Sequence, residues 1–314
     1  MMASMLARHL SAAGSIAGSL ETRPARLRAD VETLAVPRHI WAQPDANAEI
    51  RDALAERLRA LGYEVIEQGE LRNLLALPRR HADSSGPIVL PAVAAHYDSV
   101  AATPGADDNA SALAVLLEVA AASAAAGHPL ALIAFNGEEE QMLGSAEFVA
   151  ALPELGERYA FTLNEVHVLE MLGYTSATQQ LPEAAAQLLA ALGVTAPTRG
   201  DFVLLAANPD SAALLGDILA AAEAPTAGSA AQPRPRPATL GLAIPPGGEA
   251  QLPDIVRSDH APFWRAGYVA MMWTDTAELR NPNYHAPSDT PDTLDYEFMA
   301  RVCELLLTAL WRRL

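Results

Sequence analysis

Lysine is absent from the sequence, and all 21 basic residues are arginine. Schiff-base enzymes and pyridoxal phosphate enzymes use a lysine amine, and the Walker phosphate loop also requires a lysine. The sequence therefore excludes all three classes. Cysteine is nearly absent as well, because Cys303 is the one cysteine in the chain. A disulfide framework and a cysteine-based metal cage are excluded for that reason, and Cys303 is predicted to be a small core residue.

Positive charge is also scarce. The 21 basic residues face 38 acidic ones, which gives a formal net charge of −17 and a pI near 4.8. Nucleic acids and anionic membranes bind clustered cationic residues, so we expect neither as a partner. No apolar run long enough to span a bilayer is free of charges and breakers. Residues 1–20 are mildly apolar, but Arg8 and His9 interrupt them, which favours a cytoplasmic location over secretion.

Apolar runs and helical patterns alternate along the chain. Residues 87–95, 129–135, 161–171 and 268–274 have the length and flanks of buried strands. Between them the sequence is rich in alanine and leucine or carries apolar residues at helical spacing. This alternation predicts an α/β fold with a single doubly wound mixed sheet flanked by helices. Half of the residues are hydrophobic, which is enough for a sizeable core.

The chain is predicted to divide into an N-terminal arm, residues 1–44, and one domain, residues 45–314. Within the domain, residues 224–252 are rich in Pro, Gly and Ala, which predicts a loop excursion. Thr290 and Pro291 are predicted to cap and open the last helix.

Histidines and carboxylates follow the ends of the predicted strands or lie in the loops beyond them. Zinc is bound by His nitrogen and carboxylate oxygen, and paired ions are held about 3.5–4 Å apart. One bridging carboxylate and two further ligands for each ion make five ligands. The five candidates are His96, Asp108, Glu139, Glu170 and His285. Glu138, which adjoins a ligand, is the candidate general base.

The order of these residues matters more than any one of them. By itself, a histidine at a strand end or a run of three glutamates is typical of a solvated surface. The motifs in chain order are His96-Tyr-Asp98-Ser, Gly105-Ala-Asp-Asp108-Asn, Glu138-Glu139, Ser258-Asp259-His260 and Tyr284-His285. Together they resemble the family-28 zinc metallopeptidases, the co-catalytic aminopeptidase family that also includes glutaminyl cyclases and glutamate carboxypeptidase. The resemblance covers roughly residues 45–310 and implies a zinc aminopeptidase-like fold with two Zn²⁺ ions.

The resemblance also implies a role for each motif. Asp108 would bridge the two ions. Asp98 would orient the His96 ring, and Asp259 would likewise lie behind the ligands.

Three further roles come from the later motifs. The spacing to Gly144-Ser145 selects Glu138 as base and Glu139 as ligand. The last ligand would be His285 rather than His260. Tyr284 is a candidate donor to the oxygen that gains charge during hydrolysis.

One ligand departs from the pattern of the resembled aminopeptidases. They carry aspartate where this chain has Glu170, and glutamate at that place often accompanies carboxypeptidases. A carboxypeptidase or dipeptidase is therefore an alternative. A glutaminyl cyclase-like acyltransferase is a second alternative, but such enzymes use one zinc and lack the first histidine. A non-catalytic binding module, as in receptor ectodomains of the family, is disfavoured because all six chemical positions are filled.

The charge of the chain favours an aminopeptidase acting on a peptide or small aminoacyl substrate. A carboxylate-rich pocket attracts a cationic amino terminus, whereas an anionic terminus needs a dedicated cation. Without lysine, that cation would have to be an arginine. Arg257 and Arg280 flank the last two motifs and are the substrate-binding candidates. The sequence leaves the oligomeric state open.

Overall fold

The structure is a computed structural model of the chain, and it describes residues 22–79, 86–191, 193–223 and 236–312. Helices within these residues are α1 (Arg23–Leu34), α2 (Pro44–Ala60), α3 (Ala112–Ala126), α4 (Leu143–Tyr159), α5 (Glu183–Ala191), α6 (Ala212–Glu223), α7 (His260–Arg265) and α8 (Tyr296–Trp311). The strands are β1 (Tyr63–Gln68), β2 (Asn73–Pro78), β3 (Ile88–His96), β4 (Ala131–Phe135), β5 (Phe161–Glu170), β6 (Phe202–Ala207), β7 (Ala238–Ala243) and β8 (Ala270–Thr274).

The strands form one mixed sheet in the order β1-β2-β4-β3-β5-β8-β6-β7. Its four central strands, β4, β3, β5 and β8, run parallel to one another. Antiparallel pairing joins β2 to β4 on one side and β6 to β8 on the other. The predicted fold class, a single mixed sheet flanked by helices, is confirmed.

Alternate residues of each strand pack on opposite faces of the sheet. In β3, Val93 and Ala95 face one hydrophobic cluster, whereas Ala92 and Ala94 face the other. Helices α1, α2, α3, α6 and α8 contribute to the first cluster, and α4, α5 and α7 to the second. Burial on both faces explains why the central strands are continuous apolar runs in the sequence.

Helix α1 lies within the segment predicted to be an arm, and it packs against α3 and α8. Leu27 and Val31 are fully buried there. Arg26 donates from Nε and Nη2 to the two carboxylate oxygens of Glu118 in α3, at 2.7 and 2.8 Å. The division of the chain at residue 44 stays a prediction. Residues 1–20, on which the expectation about location rests, lie outside the described residues.

Two local expectations differ from the structure. The expected loop excursion contains strand β7, because Leu240 and Leu242 alternate with smaller residues and bury against the second cluster. Residues 224–235 lie outside the described part.

The last helix starts at Tyr296 rather than Pro291, because the Asp295 carboxylate accepts the N–H of Phe298 at 2.9 Å and caps the helix there.

The segment Ala106–Ala126, which ends as α3, is long and apolar enough to cross a membrane by length and composition alone. In the structure, 72% of its apolar window is buried inside the protein. A buried core helix passes the same test of length and composition, and α3 packs between the sheet and helices α1 and α8.

Candidate metal centre

The candidate ligands meet at the carboxyl edge of the four parallel strands. His96 is the last residue of β3, and Glu170 is the last residue of β5. Glu138 and Glu139 follow β4, and His285 lies in the loop after β8. Parallel strands end at the same edge of a sheet, so side chains from distant parts of the sequence converge there.

Asp108 lies between the two histidines. Its Oδ1 is 3.2 Å from Nε2 of His96, and its Oδ2 is 3.1 Å from Nε2 of His285. The same nitrogen of His96 is 3.6 Å from Oε1 of Glu170, and that of His285 is 3.2 Å from Oε2 of Glu139. The five residues therefore form two groups of three that share Asp108, and the ligand atoms of each group lie within 4.8 Å of one another.

These spacings fit zinc. Ligand atoms bound about 2.0–2.2 Å from a tetrahedral ion lie about 3.3–3.6 Å from one another. The four nitrogen–oxygen distances given above, 3.1 to 3.6 Å, are close to that range. Among the described residues, Nε2 of His96 and Oδ1 of Asp108 are buried without a hydrogen-bond partner. Buried polar atoms normally have a partner, so this pair is suited to binding a cation.

The electrostatics of the cluster also suit a cation. Burial and the neighbouring carboxylates raise the pKa of Glu138 well above its usual range. Burial and the charge of Asp108 raise the pKa of Glu139 to about 7. Burial acts against the charged forms of Asp108 and His285. Their mutual hydrogen bond nevertheless lowers the pKa of Asp108 and raises that of His285 to about 10. Bound cations supply the positive charge that such a crowd of carboxylates lacks.

Asp98 links two of the ligand loops. Its two carboxylate oxygens accept the backbone N–H groups of Glu138 and Glu139, each at 3.2 Å. Its Oδ1 also lies 3.3 Å from Nδ1 of His96. This is the arrangement expected of an acid that orients a ligating histidine.

The loop that carries Asp108 is held by Asp289. Its carboxylate accepts the N–H of Asp107 at 2.9 Å and the N–H of Asp108 at 3.1 Å. Asp107 in turn accepts the N–H of Gly173 at 2.8 Å, just beyond β5. Gly105 begins the loop with a φ of +60°, and an added Cβ there would lie 2.3 Å from the carbonyl oxygen of Asp108. Only glycine fits this turn.

Two further groups hold candidate ligands, and the sequence alone indicates a role for neither. The Ser258 hydroxyl donates to Oε2 of Glu170 at 2.7 Å. The backbone N–H of Val100 donates to Oε1 of Glu139 at 3.0 Å. In each glutamate, one carboxylate oxygen accepts this hydrogen bond and the other faces the histidine. Ser258 begins the motif Ser258-Asp259-His260, and this is the one feature of the sequence that points to it.

Asp259 and His260 are both buried beside this site. Asp259 has one oxygen, Oδ1, without a hydrogen-bond partner among the described residues, and burial raises its pKa to about 7. His260 bonds through Nε2 to the Ile255 carbonyl at 2.7 Å and packs against Trp264. Burial lowers the pKa of His260 to about 4, so it is a neutral core residue. The structure thus brings His285, and not His260, to the ligand groups.

The two candidate substrate arginines occupy different environments. Arg280 is buried over the Phe202 ring, donates from Nε to Gln179 at 2.8 Å, and does not line the cavity described below. Arg280 therefore lies away from the cavity wall, and its role as a substrate-binding residue stays a prediction. Arg257 does line the cavity, but its Nη1 pairs with Glu278.

Tyr284 stacks on the ring of His285, with centroids 3.7 Å apart. Its hydroxyl accepts a hydrogen bond from Nη2 of Arg257 at 3.1 Å. The phenol proton therefore stays available for another acceptor. His285 itself has a φ of 55°, in the left-handed region, and such conformations persist where the surrounding structure imposes them.

A cavity of about 440 Å³ opens beside the ligands. Asp108, Glu138, Glu139, Glu170 and His285 form one part of its wall. The rest of the wall is mainly apolar and includes Leu181, Leu189, Leu204, Leu240, Leu242, Leu252, Ile255 and Met272. Most of these residues also belong to the second hydrophobic cluster, so the core of the protein forms one side of the cavity. Such a cavity accepts a polar group next to the ligands and an apolar group beyond them.

The sequence profile of peptidase family M28 matches residues 80–310. The Escherichia coli (strain K12) protein YfbL, described as uncharacterized, is 31% identical over 259 residues, which are 78% of this chain and 72% of YfbL.

Solved structures show the same fold. The zinc aminopeptidase BSAP from Bacillus subtilis superposes with a TM-score of 0.53 at 22% identity, over 77% of this chain and 50% of that chain. The glutaminyl cyclase from Fimbriiglobus ruber superposes with a TM-score of 0.60 at 16% identity, over 91% of this chain and 94% of that chain. At these identities the likeness concerns the fold alone. The chain spans half the length of BSAP.

Proposed function

The chain belongs to peptidase family M28, and from this we propose that it is a two-zinc aminopeptidase, which hydrolyses the bond after the N-terminal residue of a peptide. The enzyme would bind two ions, recognise the amino end of its substrate and prefer a large apolar first side chain.

The observation that carries the proposal is the position of Asp108. Each of its oxygens faces a different histidine, at 3.2 and 3.1 Å, and each histidine also faces a glutamate. A site for one tetrahedral ion needs four ligands at most, whereas these five residues form two sets around one carboxylate. Zinc bound there would polarise the scissile carbonyl and make water a nucleophile at neutral pH.

Glu138 is the residue best placed to move protons. It lines the cavity beside the ligand groups, and its side chain holds none of the ligand positions. Burial raises its pKa, so it can accept a proton from the attacking water and return it to the leaving amine. Tyr284, whose hydroxyl accepts from Arg257, can donate its own proton to the oxygen that gains charge.

The charges around the cavity support an aminopeptidase over a carboxypeptidase or dipeptidase. Arg257 is the one arginine among the described residues that line the cavity. Its Nη1 is held by Glu278 and lies 3.4 Å from Asp254, and its Nη2 binds Tyr284. A substrate carboxylate would have to displace those partners. A cationic amino terminus instead meets a surplus of carboxylates.

The apolar part of the cavity supports a substrate with a large apolar first side chain. Burying such a side chain contributes about 1.5–3 kcal/mol, which corresponds to roughly 10–100-fold in specificity. Glutaminyl cyclase activity is a weaker candidate, because the group His96, Asp108 and Glu170 is complete in this chain.

The number of ions can be tested by elemental analysis of the purified protein. We expect two zinc ions in the intact chain and a loss of both after Asp108→Ala, because that residue belongs to both groups. His96→Ala should lose mainly one ion, and His285→Ala mainly the other. A single tightly bound ion in the intact protein would contradict the two-zinc proposal.

The assignment of the base can be tested within the acidic run. Glu138→Gln should retain the metal and lower kcat by about 10²–10⁴-fold, the usual contribution of a positioned base. Glu139→Gln should lose metal as well. Glu140→Gln is the matched control, because Glu140 pairs with His39 at 2.8 Å and belongs to neither ligand group. Equal damage from Glu140→Gln would show that the assigned register is displaced by one residue.

The substrate preference can be tested with three compounds. We expect kcat/KM for leucyl p-nitroanilide to exceed that for glutamyl p-nitroanilide by about 10–100-fold, as the apolar cavity requires. An N-blocked peptide with leucine at its carboxyl end should be cleaved far more slowly than leucyl p-nitroanilide. Faster cleavage of the blocked peptide, abolished by Arg257→Ala, would make the protein a carboxypeptidase.

A further inference from the structure

Arg38 lies outside the region matched by the family profile, yet it contacts the loops that carry the candidate ligands. Its side chain is fully buried. Nε donates to the carbonyl of Tyr97 at 2.8 Å, and Nη1 donates to that of Pro104 at 2.6 Å. Nη2 donates to the carbonyl of Gly105 at 3.0 Å.

The acceptors of these hydrogen bonds flank the ligands. Tyr97 follows His96 directly, and Gly105 lies three residues before Asp108. The Arg38 guanidinium therefore binds the loop of His96 and the loop of Asp108 at the same time. Both acceptor sets are backbone carbonyls, so the planar fork of donors, and not a salt bridge, fixes the distance between the loops.

A third ligand loop is connected through Asn47. Its Nδ2 donates to the carbonyl of Arg38 and to Oδ1 of Asn136, both at 2.9 Å. Asn136 Nδ2 donates back to Oδ1 of Asn47 at 3.2 Å. Asn136 stands two residues before Glu138. The backbone N–H of Arg38 also donates to the Ser99 hydroxyl at 3.1 Å.

The burial of Arg38 requires an explanation, because a buried cation without a paired anion is costly. No carboxylate among the described residues forms an ion pair with it; the nearby acids Asp98, Asp108, Asp289 and Glu139 act on it through space. Gly105 lets the Arg38 guanidinium lie close to the backbone of the Asp108 loop, since an added Cβ at this position would lie 3.1 Å from Nη1 of Arg38. The chain thus places a buried positive charge and several donors against the loop that carries Asp108.

We propose that Arg38 is a positioning residue for the metal centre: it holds the His96 and Asp108 loops at the separation that the ligands need and thereby sets the zinc affinity. This inference rests on the proposed zinc site. Arg38 is not itself a proposed ligand. It would act through the backbone of the loops that carry the ligands.

The test measures the zinc dissociation constant of the full-length apoprotein by competition with a chromophoric chelator. Arg38→Met keeps an unbranched apolar stem but removes the donors, and it should weaken zinc binding by about 10–100-fold, the usual effect of removing a group that supports metal ligands. Arg38→Lys should recover part of the loss, because an ammonium keeps the charge but cannot reproduce the fork.

Arg23→Met is the matched control. Arg23 is also a buried arginine of the same N-terminal segment, but it contacts Glu118 and Glu304 rather than the ligand loops. Arg23→Met should lower Tm while leaving the zinc dissociation constant unchanged. If Arg38→Met does not fold, Arg38→Lys and Asn47→Ala serve in its place, with a smaller but measurable loss of zinc affinity.

Zinc affinity equal to that of the wild type in the folded Arg38 variants, or an equal loss in Arg23→Met, would overturn the inference and leave the proposed function intact. A wild-type protein that binds no zinc would overturn both.

Discussion

The crowding of carboxylates at one partly buried place is the constraint on which the rest of the structure depends. Asp108, Glu138, Glu139 and Glu170 all line the same cavity. Buried charges without partners are costly, by about several kcal/mol each. His96 and His285 offset the negative charge of these carboxylates only in part, since burial opposes the protonated form of each histidine. The two groups of candidate ligands that share Asp108 are arranged so that bound cations would supply the missing positive charge.

The fold supports this crowding with backbone groups. Four parallel strands end at one edge, which brings the ligands together without any of them being close in sequence. Asp98 and Asp289 then fix the ligand loops by accepting N–H groups from them. Arg38 works in the opposite sense, because it donates to carbonyls of the His96 loop and of the Asp108 loop. In the Asp108 loop, therefore, Asp289 binds backbone N–H groups and Arg38 binds backbone carbonyls.

The central strands could be predicted because they follow from local apolar patterns, whereas the candidate ligands were assigned from the order of motifs along the chain. His96 and Glu170 end apolar runs, and such runs form the central strands. Contacts between distant segments leave no such pattern. Arg38 lies 59 residues from the carbonyl that its Nε binds, so nothing near it in the sequence indicates its role. Arg257 and Arg280 look equivalent as neighbours of motifs, and burial behind the loop separates them.

In the proposed function, the Asp108 carboxylate would be shared by two zinc ions. Crystals of the zinc-loaded protein, measured on both sides of the zinc absorption edge, test it most directly. We expect two anomalous peaks about 3.5–4 Å apart, one on each side of the Asp108 carboxylate. The first should lie among His96, Asp108 and Glu170, and the second among Asp108, Glu139 and His285. One peak alone, or peaks away from Asp108, would show that Asp108 is not shared by two ions.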